Sequence, residues 1–540
     1  MSVSLIPDSA PFSEEQRAWL NGFLSGFLGV LPNESEARQM AAANSPTAAP
    51  TAALTAEQPM EAEDLNLAPW HDSALPLEER LQLADGRPLA HRLMAAMAQL
   101  DCGSCGYLCQ TYSAAIASGE ESSLSLCSPG GKETKQALKQ LVKEIELPLR
   151  ANKLAGTNGS AKANGQPQYS RKNPFPAKLL ESRCLNKPGS AKDTRHVVID
   201  LAGSGLEYAV GDALGVWPRN CATLVRSIIQ HLGVDGQMLI QGPSGPEPAP
   251  LAQVLTTACC LKEPSDALLK LIAERTKQSE TAAQLAEYMD TGVPEGFDVL
   301  DCLELDQSVR ISATEFMETL ETLNPRLYSI ASSQRRVGDR VELTVGKVVY
   351  ERQGRKRKGV ASCMLGGDLE PGAEVRVFIQ PNHGGFTVPP DPALPMVMIG
   401  PGTGIAPFMA FLNERAAVSA AGKNWLFFGD QHAACDFLYE DELQQFCESG
   451  LLSRLDTAFS RDSDKKVYVQ DRMRENGQEL WNWIQAGAHI YVCGDASRMA
   501  ADVHRALQDV FSMAGGLAPD EAAGMLDTLA QQKRYVRDVY

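Results

Sequence analysis

The sequence predicts a multidomain protein made of a small α-helical module, an antiparallel β-barrel with a helical insertion, and a doubly wound α/β domain. At 540 residues the chain is too long for one hydrophobic core. Cysteines interrupt a helical stretch at 68–147, and short β-branched strands follow from about 171. From 394 onward apolar strands alternate with helices. Each change of pattern marks a new domain.

The first segment, 1–32, is predicted to carry a separate helix. Its apolar residues recur at helical spacing: Trp19, Leu20, Phe23, Leu24, Phe27 and Leu28. Residues 33–67 are rich in Ala, Pro and Thr, which is typical of a linker. Because short isolated helices are marginal in water, this one needs a surface. We expect it to dock on a protein partner or on another copy of this chain; packing back on its own chain is the alternative.

The second segment, 68–150, contains a cysteine module with the spacing C-x2-C-x3-C-x17-C. Its four cysteines are Cys102, Cys105, Cys109 and Cys127. Four thiolates can hold a 4Fe–4S cluster, and a tight trio with a distant fourth fits that use better than zinc, for which two CxxC pairs are typical. A zinc site and unmetallated thiols stay as alternatives. Of the other cysteines only the adjacent Cys259 and Cys260 show any ligand-like spacing, and all of them are interpreted as ordinary buried or surface thiols.

A second linker at 151–170 precedes the predicted barrel, which covers 171–390. Its strands are short, β-branched and bounded by turn residues, as at 196–201, 326–331, 340–350 and 374–379. This pattern favours antiparallel pairing. Residues from about 220 to 320 have helical periodicity instead, so we predict a helical insertion into the barrel.

The last segment, 391–540, is predicted to bind a dinucleotide. One strand runs into a glycine-rich turn at 400–408 and then a helix, so that backbone N–H groups of Gly402, Thr403 and Gly404 can approach a pyrophosphate. The spacing differs from GxGxxG, and a tight turn without a ligand is the alternative.

A basic pair further along this domain predicts a site for a second phosphate. Ser460 and Arg461 end one strand, and 466–470 follows directly, with Lys466, Val467, Tyr468, Val469 and Gln470. Arg and Lys beyond the carboxyl end of a strand can hold the 2′-phosphate that distinguishes NADP from NAD. A solvated basic edge is the alternative.

Composition restricts the partners and the compartment. The formal charge of −17 disfavours nucleic acid and anionic membranes as partners, and no apolar run reaches the roughly 20 residues that span a bilayer. Thirteen cysteines without a recognisable export signal indicate reduced thiols or metal ligands. We therefore expect a cytoplasmic protein without a membrane anchor.

Motifs shared with a known family cover residues 171–540. They are RLYSIASS (326–333), LTVGKVVY (343–350), GPGTGIAPF (400–408), SRD (460–462), KVYVQD (466–471), YVCGDASRMAADV (491–503) and RDVY (537–540). In this order they resemble the FAD/NADPH half of the diflavin reductases, of the ferredoxin–NADP reductase type, and within them the flavoprotein subunits of bacterial sulfite reductases.

The resemblance implies an FAD site and an NADPH site. The FAD contacts it implies are Arg326, Leu327, Tyr328, Ser329, Thr344, Val345, Gly346, Tyr350, Gly359, Val360, Ala361, Ser362 and Tyr540. Among these, Arg326 would pair with the pyrophosphate and Tyr328 would pack on the flavin. Val360 stands where the family has a second glycine. Asp502 joins the NADP-binding residues.

The same resemblance implies a polar cluster where hydride passes between the cofactors. It consists of Ser329, Cys493 and Asp538, with Tyr540 stacked on the flavin until nicotinamide displaces it. Without the motif around it, Cys493 would be interpreted as a buried structural thiol.

The chain departs from the family before residue 150. No βα pattern of an FMN-binding flavodoxin domain is present, so FMN is not expected. The cysteine module stands there instead and resembles the small iron–sulfur domain of membrane electron-transport complexes, with one residue fewer before Cys109. NADPH delivers electrons in pairs and a haem takes them singly, so a cluster in this position can pass them on one at a time.

The resemblance therefore implies an NADPH-dependent oxidoreductase, the flavoprotein component of an assimilatory sulfite reductase. Electrons would pass from NADPH through FAD and a 4Fe–4S cluster to a siroheme hemoprotein subunit. The first helix resembles the leader of such flavoproteins. A reductase for an assimilatory nitrate or nitrite reductase or another haem acceptor is the enzymatic alternative, and an NADPH-sensing scaffold is the non-enzymatic one.

Overall fold

The computed structural model describes most of the chain beyond residue 67. The described ranges are 68–71, 75–99, 105–121, 123–127, 130–144, 169–243, 247–382, 384–496 and 498–540. The predicted N-terminal helix, the first linker, nearly all of the second linker and Cys102 lie outside these residues.

The cysteine module folds as a set of short helices around a small apolar core. The helices are Leu77–Leu83, Leu89–Ala96, Cys109–Ala117 and Gly131–Glu144. Leu93, Tyr112 and Leu138 are almost fully buried at the centre of this core. The Thr134 hydroxyl donates to the Ala96 carbonyl at 2.8 Å and so joins the last helix to the second. Hydrophobic burial here is modest, because the module is small.

A six-stranded antiparallel sheet follows. The strands up to residue 380 are β1 (Phe175–Cys184), β2 (Thr194–Asp200), β3 (Ala213–Trp217), β4 (Leu239–Ile240), β5 (Ala249–Pro250), β6 (Arg326–Ser329), β7 (Arg340–Gly346), β8 (Val349–Arg352), β9 (Arg355–Lys358) and β10 (Glu374–Gln380). The sheet has the order β6-β3-β10-β1-β2-β7. Its two edge strands meet at an antiparallel bridge between Ile330 and Leu343. Alternate residues such as Val197, Ile199 and Leu343 face a common core.

Helices occupy the chain between β3 and β6. They are Ala222–Leu232, Leu251–Thr257, Asp266–Arg275, Ser279–Thr291, Val299–Glu304 and Ala313–Thr319, with the β4–β5 hairpin among them. Caps fix several of their starts: the Ser312 hydroxyl accepts from the Glu315 N–H while the Glu315 carboxylate accepts from the Ser312 N–H. These helices bury a core of their own around Leu255, Leu268 and Phe316.

The last part of the chain is a parallel sheet covered by helices, as the alternation of strands and helices predicts. Its strands are β11 (Met396–Ile399), β12 (Asn424–Asp430), β13 (Arg454–Phe459), β14 (His489–Gly494) and β15 (Tyr535–Val539), in the order β13-β12-β11-β14-β15. The longer helices are Ala406–Ala417, Glu440–Glu448, Val469–Glu475, Gly477–Gln485, Met499–Gly515 and Pro519–Gln531.

Short turns of helix occur in both parts of the chain. They are Gln334–Val337, Val360–Cys363, Met364–Asp368, Gly402–Ile405 and Ala433–Asp436.

Polar contacts join the two sheets. The Tyr439 hydroxyl lies 2.8 Å from Thr344 Oγ1 on β7 and 3.2 Å from His196 Nδ1 on β2. The Ser333 hydroxyl donates to the Glu414 carboxylate at 2.6 Å. These bonds hold the part of the chain with the parallel sheet against the antiparallel sheet. No helix among the described residues is long and apolar enough to cross a membrane.

Candidate active site

A cavity of about 2450 Å³ runs along strands β6 and β7 and reaches the end of β15. Most of the predicted flavin and hydride-site residues line it: Arg326, Leu327, Tyr328, Ser329, Thr344, Gly346, Tyr350, Gly359, Val360, Ala361, Ser362, Thr403, Asp538 and Tyr540. Ordinary small-molecule pockets measure about 300–1,000 Å³. The cavity can therefore admit an extended dinucleotide together with the end of a second one.

Three predicted residues from distant parts of the sequence meet near one end of this cavity; Ser329 and Asp538 line it, whereas Cys493 does not. The Ser329 hydroxyl donates to Asp538 Oδ2 at 2.8 Å, and the Cys493 thiol lies 3.8 Å from the same oxygen. Cys493 and Asp538 are partners in the register of the parallel strands β14 and β15. The carboxylate therefore orients the serine hydroxyl from one side and the thiol from the other.

Cys493 is fully buried, and its environment disfavours a thiolate. Burial raises the pKa of this thiol well above its usual value, and the neighbouring Asp538 carboxylate raises it further. Cys493 therefore acts here as a neutral S–H group.

The terminal residue, Tyr540, covers the mouth of the same end. Its backbone N–H donates to the Gly494 carbonyl at 3.0 Å, and its carbonyl accepts from the Ala496 N–H at 3.2 Å. The hydroxyl lies 2.9 Å from Thr403 Oγ1. The ring is 42% exposed, so it can be displaced without unfolding a core.

The turn at the start of Val360–Cys363 requires a glycine at position 359. A Cβ on Gly359 would lie 2.5 Å from Ser362 Oγ and 3.0 Å from Val348 Cβ, so a side chain cannot be accommodated there. The Val348 N–H donates to Ser362 Oγ at 3.2 Å. Val360 occupies a regular helical position, where glycine is not required. The departure from the family pattern at residue 360 is thus accommodated locally.

Arg326 presents a positive charge to the cavity. Its Nη1 donates to the carbonyl oxygens of Asn324 and Pro325 at 3.2 Å each, and it forms no ion pair with any described residue. A guanidinium whose partners are neutral oxygens retains its charge for an anion such as a pyrophosphate. The large cavity and this cation together fit FAD.

Two neighbouring residues of β7 lie differently from what the motif suggests. Val345 is fully buried in the sheet core and does not line the cavity. The Thr344 hydroxyl is engaged by Tyr439. Any contact that Val345 makes with a flavin would have to come from its backbone.

The glycine-rich turn lies against the strand that carries Cys493. Gly402 has a left-handed φ of +57°, and a Cβ on Gly404 would lie 2.1 Å from the Cys493 carbonyl oxygen. The turn is therefore packed directly on β14.

We expect Gly404→Ala to lower stability by about 1–3 kcal/mol and to raise the KM for the nicotinamide dinucleotide, because the methyl group must displace the turn or β14. Thermal unfolding and steady-state kinetics measure the two effects. Gly524→Ala is the matched control: nothing lies within 4 Å of its Cβ, and helical Gly→Ala raises stability by up to about 1 kcal/mol. An equal loss in both variants would contradict this packing argument.

The residues predicted to hold a second phosphate differ in their exposure and in their hydrogen-bond partners. Arg461, Lys466 and Tyr468 are exposed, and neither cation forms an ion pair with a described residue. Ser460 Oγ donates to the Asp430 carbonyl at 3.3 Å. Gln470 donates to the Asp502 carboxylate at 3.2 Å.

The two valines of that segment are packed inward. Val469 is buried in the domain core, and Val467 packs against the same core. They support the segment and leave the polar side chains to meet a ligand.

Three predicted cysteine ligands surround one small core. Cys105, Cys109 and Cys127 all pack against it, close to Tyr112. Among the residues that the structure describes, no three His, Cys, Asp or Glu side chains are grouped to hold a metal ion. Since Cys102 lies outside them, the four-cysteine set stays a prediction. Cys127 lines the same cavity as the flavin strand.

Sequence reasoning missed the ion pairs that hold the β8–β9 hairpin. Arg355 contacts Asp298 at 2.6 and 2.8 Å, and Arg357 contacts both oxygens of Asp301 at 2.6 and 2.7 Å. These bidentate pairs tie the hairpin before Gly359 to the helical insertion. The basic residues were visible in the sequence, but their acidic partners lie more than fifty residues away.

Comparisons with known proteins agree with this geometry. Residues 167–364 match the FAD binding domain family, and residues 398–505 match the oxidoreductase NAD-binding domain family. The fold, the site and these matches define the class of protein: an oxidoreductase with an FAD-binding and an NAD-binding domain.

The relatives are more specific. The chain is 46% identical over 406 residues to the sulfite reductase [NADPH] flavoprotein alpha-component of Neisseria meningitidis serogroup A, covering 74% of this chain and 66% of that protein. It is 42% identical over 384 residues to that of Bacillus subtilis, covering 71% and 63%. It is 45% identical over 377 residues to that of Vibrio cholerae, covering 69% and 61%. The chain thus spans less than two thirds of the length of these relatives.

Proposed function

We propose that this chain oxidises NADPH at FAD and delivers the electrons singly, through a 4Fe–4S cluster held by Cys102, Cys105, Cys109 and Cys127, to a siroheme hemoprotein that reduces sulfite. The observation that carries the proposal is the Ser329–Asp538–Cys493 cluster at the end of a cavity that also reaches Cys127. We also propose a cytoplasmic location, as for an assimilatory enzyme.

In this proposal the protein's own residues position the reactants and exclude water. FAD, when bound, supplies the acceptor for hydride. Arg326 and the Gly359 turn hold its pyrophosphate, while Tyr328 packs on the ring. Asp538 orients the Ser329 hydroxyl toward the reacting atoms. Tyr540 covers the site until nicotinamide arrives, which keeps water away.

The specificity for NADPH is proposed to come from Arg461 and Lys466. Both are exposed cations at the carboxyl edge of the parallel sheet. Unpaired basic groups at this edge suit a phosphate on the ribose. The names of the relatives specify NADPH for those proteins.

Arg461→Ala is expected to raise the KM for NADPH about tenfold or more and to leave the KM for NADH nearly unchanged, because a charged hydrogen bond contributes about 1.5–3 kcal/mol. Steady-state ferricyanide reduction with each dinucleotide measures the split. Arg474→Ala serves as the control, since that cation is engaged by Asp509 at 2.7 Å. An equal effect on both dinucleotides would exclude a role at the 2′-phosphate.

The cluster is proposed from the donor set and its location. Four soft thiolates suit iron and sulfide, which, when bound, supply a one-electron relay. Cys105, Cys109 and Cys127 border one core beside Tyr112, and Cys127 lines the cavity that contains the flavin strand. The relay would therefore border the same cavity as the flavin strand.

The partner is proposed from the relatives, each of which is named as an alpha-component. The chain's net charge of −17 favours a partner with a basic docking face. Anaerobic purification from the native source tests this: we expect a siroheme protein to co-purify and NADPH-dependent sulfite reduction to require both chains. Turnover with cytochrome c but none with sulfite in the co-purified material would refute the proposed acceptor.

A further inference from the structure

We propose that Arg171 is the positioning residue that docks the cysteine module on the flavin strand and so sets the gap that electrons cross. We call its contacts with Gly106, Tyr107 and Asn324 the Arg171 junction. The electron-transfer part of this inference rests on the proposed function, whereas the docking part stands on the contacts alone.

Arg171 contacts both sides at once. Its Nη1 donates to the Gly106 carbonyl in the module, and its Nη2 donates to Asn324 Oδ1 at 2.9 Å, close to the start of β6. The guanidinium carbon lies 3.7 Å from the centroid of the Tyr107 ring. The backbone carbonyl of Arg171 also accepts from Trp217 Nε1 at 3.1 Å. A planar, stacked and forked group of this kind fixes orientation as well as distance.

The surfaces that meet at this junction are closely packed. Gly106 has a left-handed φ of +76°, and a Cβ there would lie 2.7 Å from Pro325 Cγ and 2.9 Å from the Pro325 carbonyl oxygen. Gly106 follows Cys105 directly, and Pro325 directly precedes Arg326. The backbone beside a predicted cluster ligand thus touches the backbone that leads into the flavin strand.

Other contacts across the same boundary are exposed. The Ser125 hydroxyl donates to the Glu321 carboxylate at 2.9 and 3.0 Å, and Lys172 lies 3.3 Å from Glu120. Lys135 lies 2.6 Å from Asp266. Exposed pairs of this type contribute about 0–1 kcal/mol each. The partly buried Arg171 is therefore the contact that can hold the two parts in one register.

The charge of Arg171 is also placed for the module. Its hydrogen bonds go to two neutral oxygens, and it forms no ion pair with a described residue. Burial lowers the pKa of Arg171, while the nearby Tyr107, Glu121 and Cys105 act in the opposite direction. A cation without a carboxylate partner beside Cys105 suits an anionic thiolate group. Because reduction adds negative charge, this cation would raise the reduction potential of a group held there.

Hydrogen–deuterium exchange of the full-length protein tests the docking. We expect Arg171→Met to speed exchange of the amides in 105–112 about tenfold or more, since hydrogen bonds to a charged group contribute about 1.5–3 kcal/mol. Asn324→Ala removes the opposite partner and should give a smaller change of the same sign. If Arg171→Met fails to fold, amide exchange in Asn324→Ala decides whether the Arg171 junction docks the module. Lys172→Gln, the exposed neighbouring cation, should leave exchange unchanged.

Potentiometric titration followed by electron paramagnetic resonance tests the electron-transfer part. Arg171→Met should lower the midpoint potential of the cluster and slow cytochrome c reduction, with ferricyanide reduction at the flavin retained. Arg171→Lys should keep the midpoint potential of the cluster, because lysine retains the positive charge. It should still speed amide exchange in 105–112, because lysine lacks the forked guanidinium group. Unchanged exchange in Arg171→Met and Asn324→Ala would overturn the inference. If the wild-type protein contained no iron, the proposed relay would be overturned. The hydrogen–deuterium exchange test would still decide whether Arg171 docks the module.

Discussion

Ser329→Ala is expected to slow hydride transfer from NADPH about 100-fold, the lower range for losing a positioned polar group that acts in the transition state. The Ser329 hydroxyl is held by Asp538 Oδ2 at 2.8 Å at the end of the cavity. Alanine removes the hydroxyl without removing buried apolar volume, so FAD content and thermal stability should stay close to wild type. Single-turnover bleaching of the flavin under anaerobic conditions measures the rate.

Asp538→Asn provides the coupled test. If the carboxylate acts by orienting Ser329, the double variant Ser329→Ala/Asp538→Asn should lose little more than the slower single variant, because groups that act as a unit are not additive. Ser308→Ala is the matched control for Ser329→Ala: the Ser308 hydroxyl donates to the Asp306 carboxylate at 2.7 Å, away from the cavity. Full additivity in the double variant would show that the two side chains act independently.

The parts of the fold that the sequence predicts are those with a local pattern. The strands Met396–Ile399 and Asn424–Asp430 contain the apolar runs MVMI and WLFF, each followed by glycine, which is typical of buried parallel strands. The last strand, Tyr535–Val539, has no such run, because Arg537 and Asp538 interrupt it. The segment RDVY therefore carries a family motif but no strand pattern.

The parts of the site that the sequence does not predict depend on contacts between distant segments. Tyr439 engages the Thr344 hydroxyl across the two sheets, and no spacing rule connects these positions. Val345 was named beside Thr344 as a flavin contact, but alternation along β7 turns its side chain into the core. Arg171 lies next to a linker and carries no motif of its own; only the folded chain brings it to Gly106 and Asn324.

Cys105→Ala is expected to abolish the iron and acid-labile sulfide of anaerobically purified protein and to abolish one-electron transfer to cytochrome c. In the proposed 4Fe–4S cluster four thiolates hold the iron, and Cys105 would supply one of them from the turn that approaches Pro325 through Gly106. NADPH-to-ferricyanide activity should persist, because the residues of the hydride site lie in other domains. Iron and sulfide analysis together with the two activity assays make the measurement.

Cys447→Ala is the control for thiol loss, since that cysteine is exposed on the helix Glu440–Glu448 and has no ligand spacing. It should keep iron and both activities. If Cys105→Ala lost both activities together, the module would be a structural support for the flavin domain. Retention of iron and cytochrome c reduction would instead remove Cys105 from the ligand set. Loss of cytochrome c reduction with ferricyanide reduction retained would identify the module as a relay and not a support, because only a relay lies downstream of the flavin.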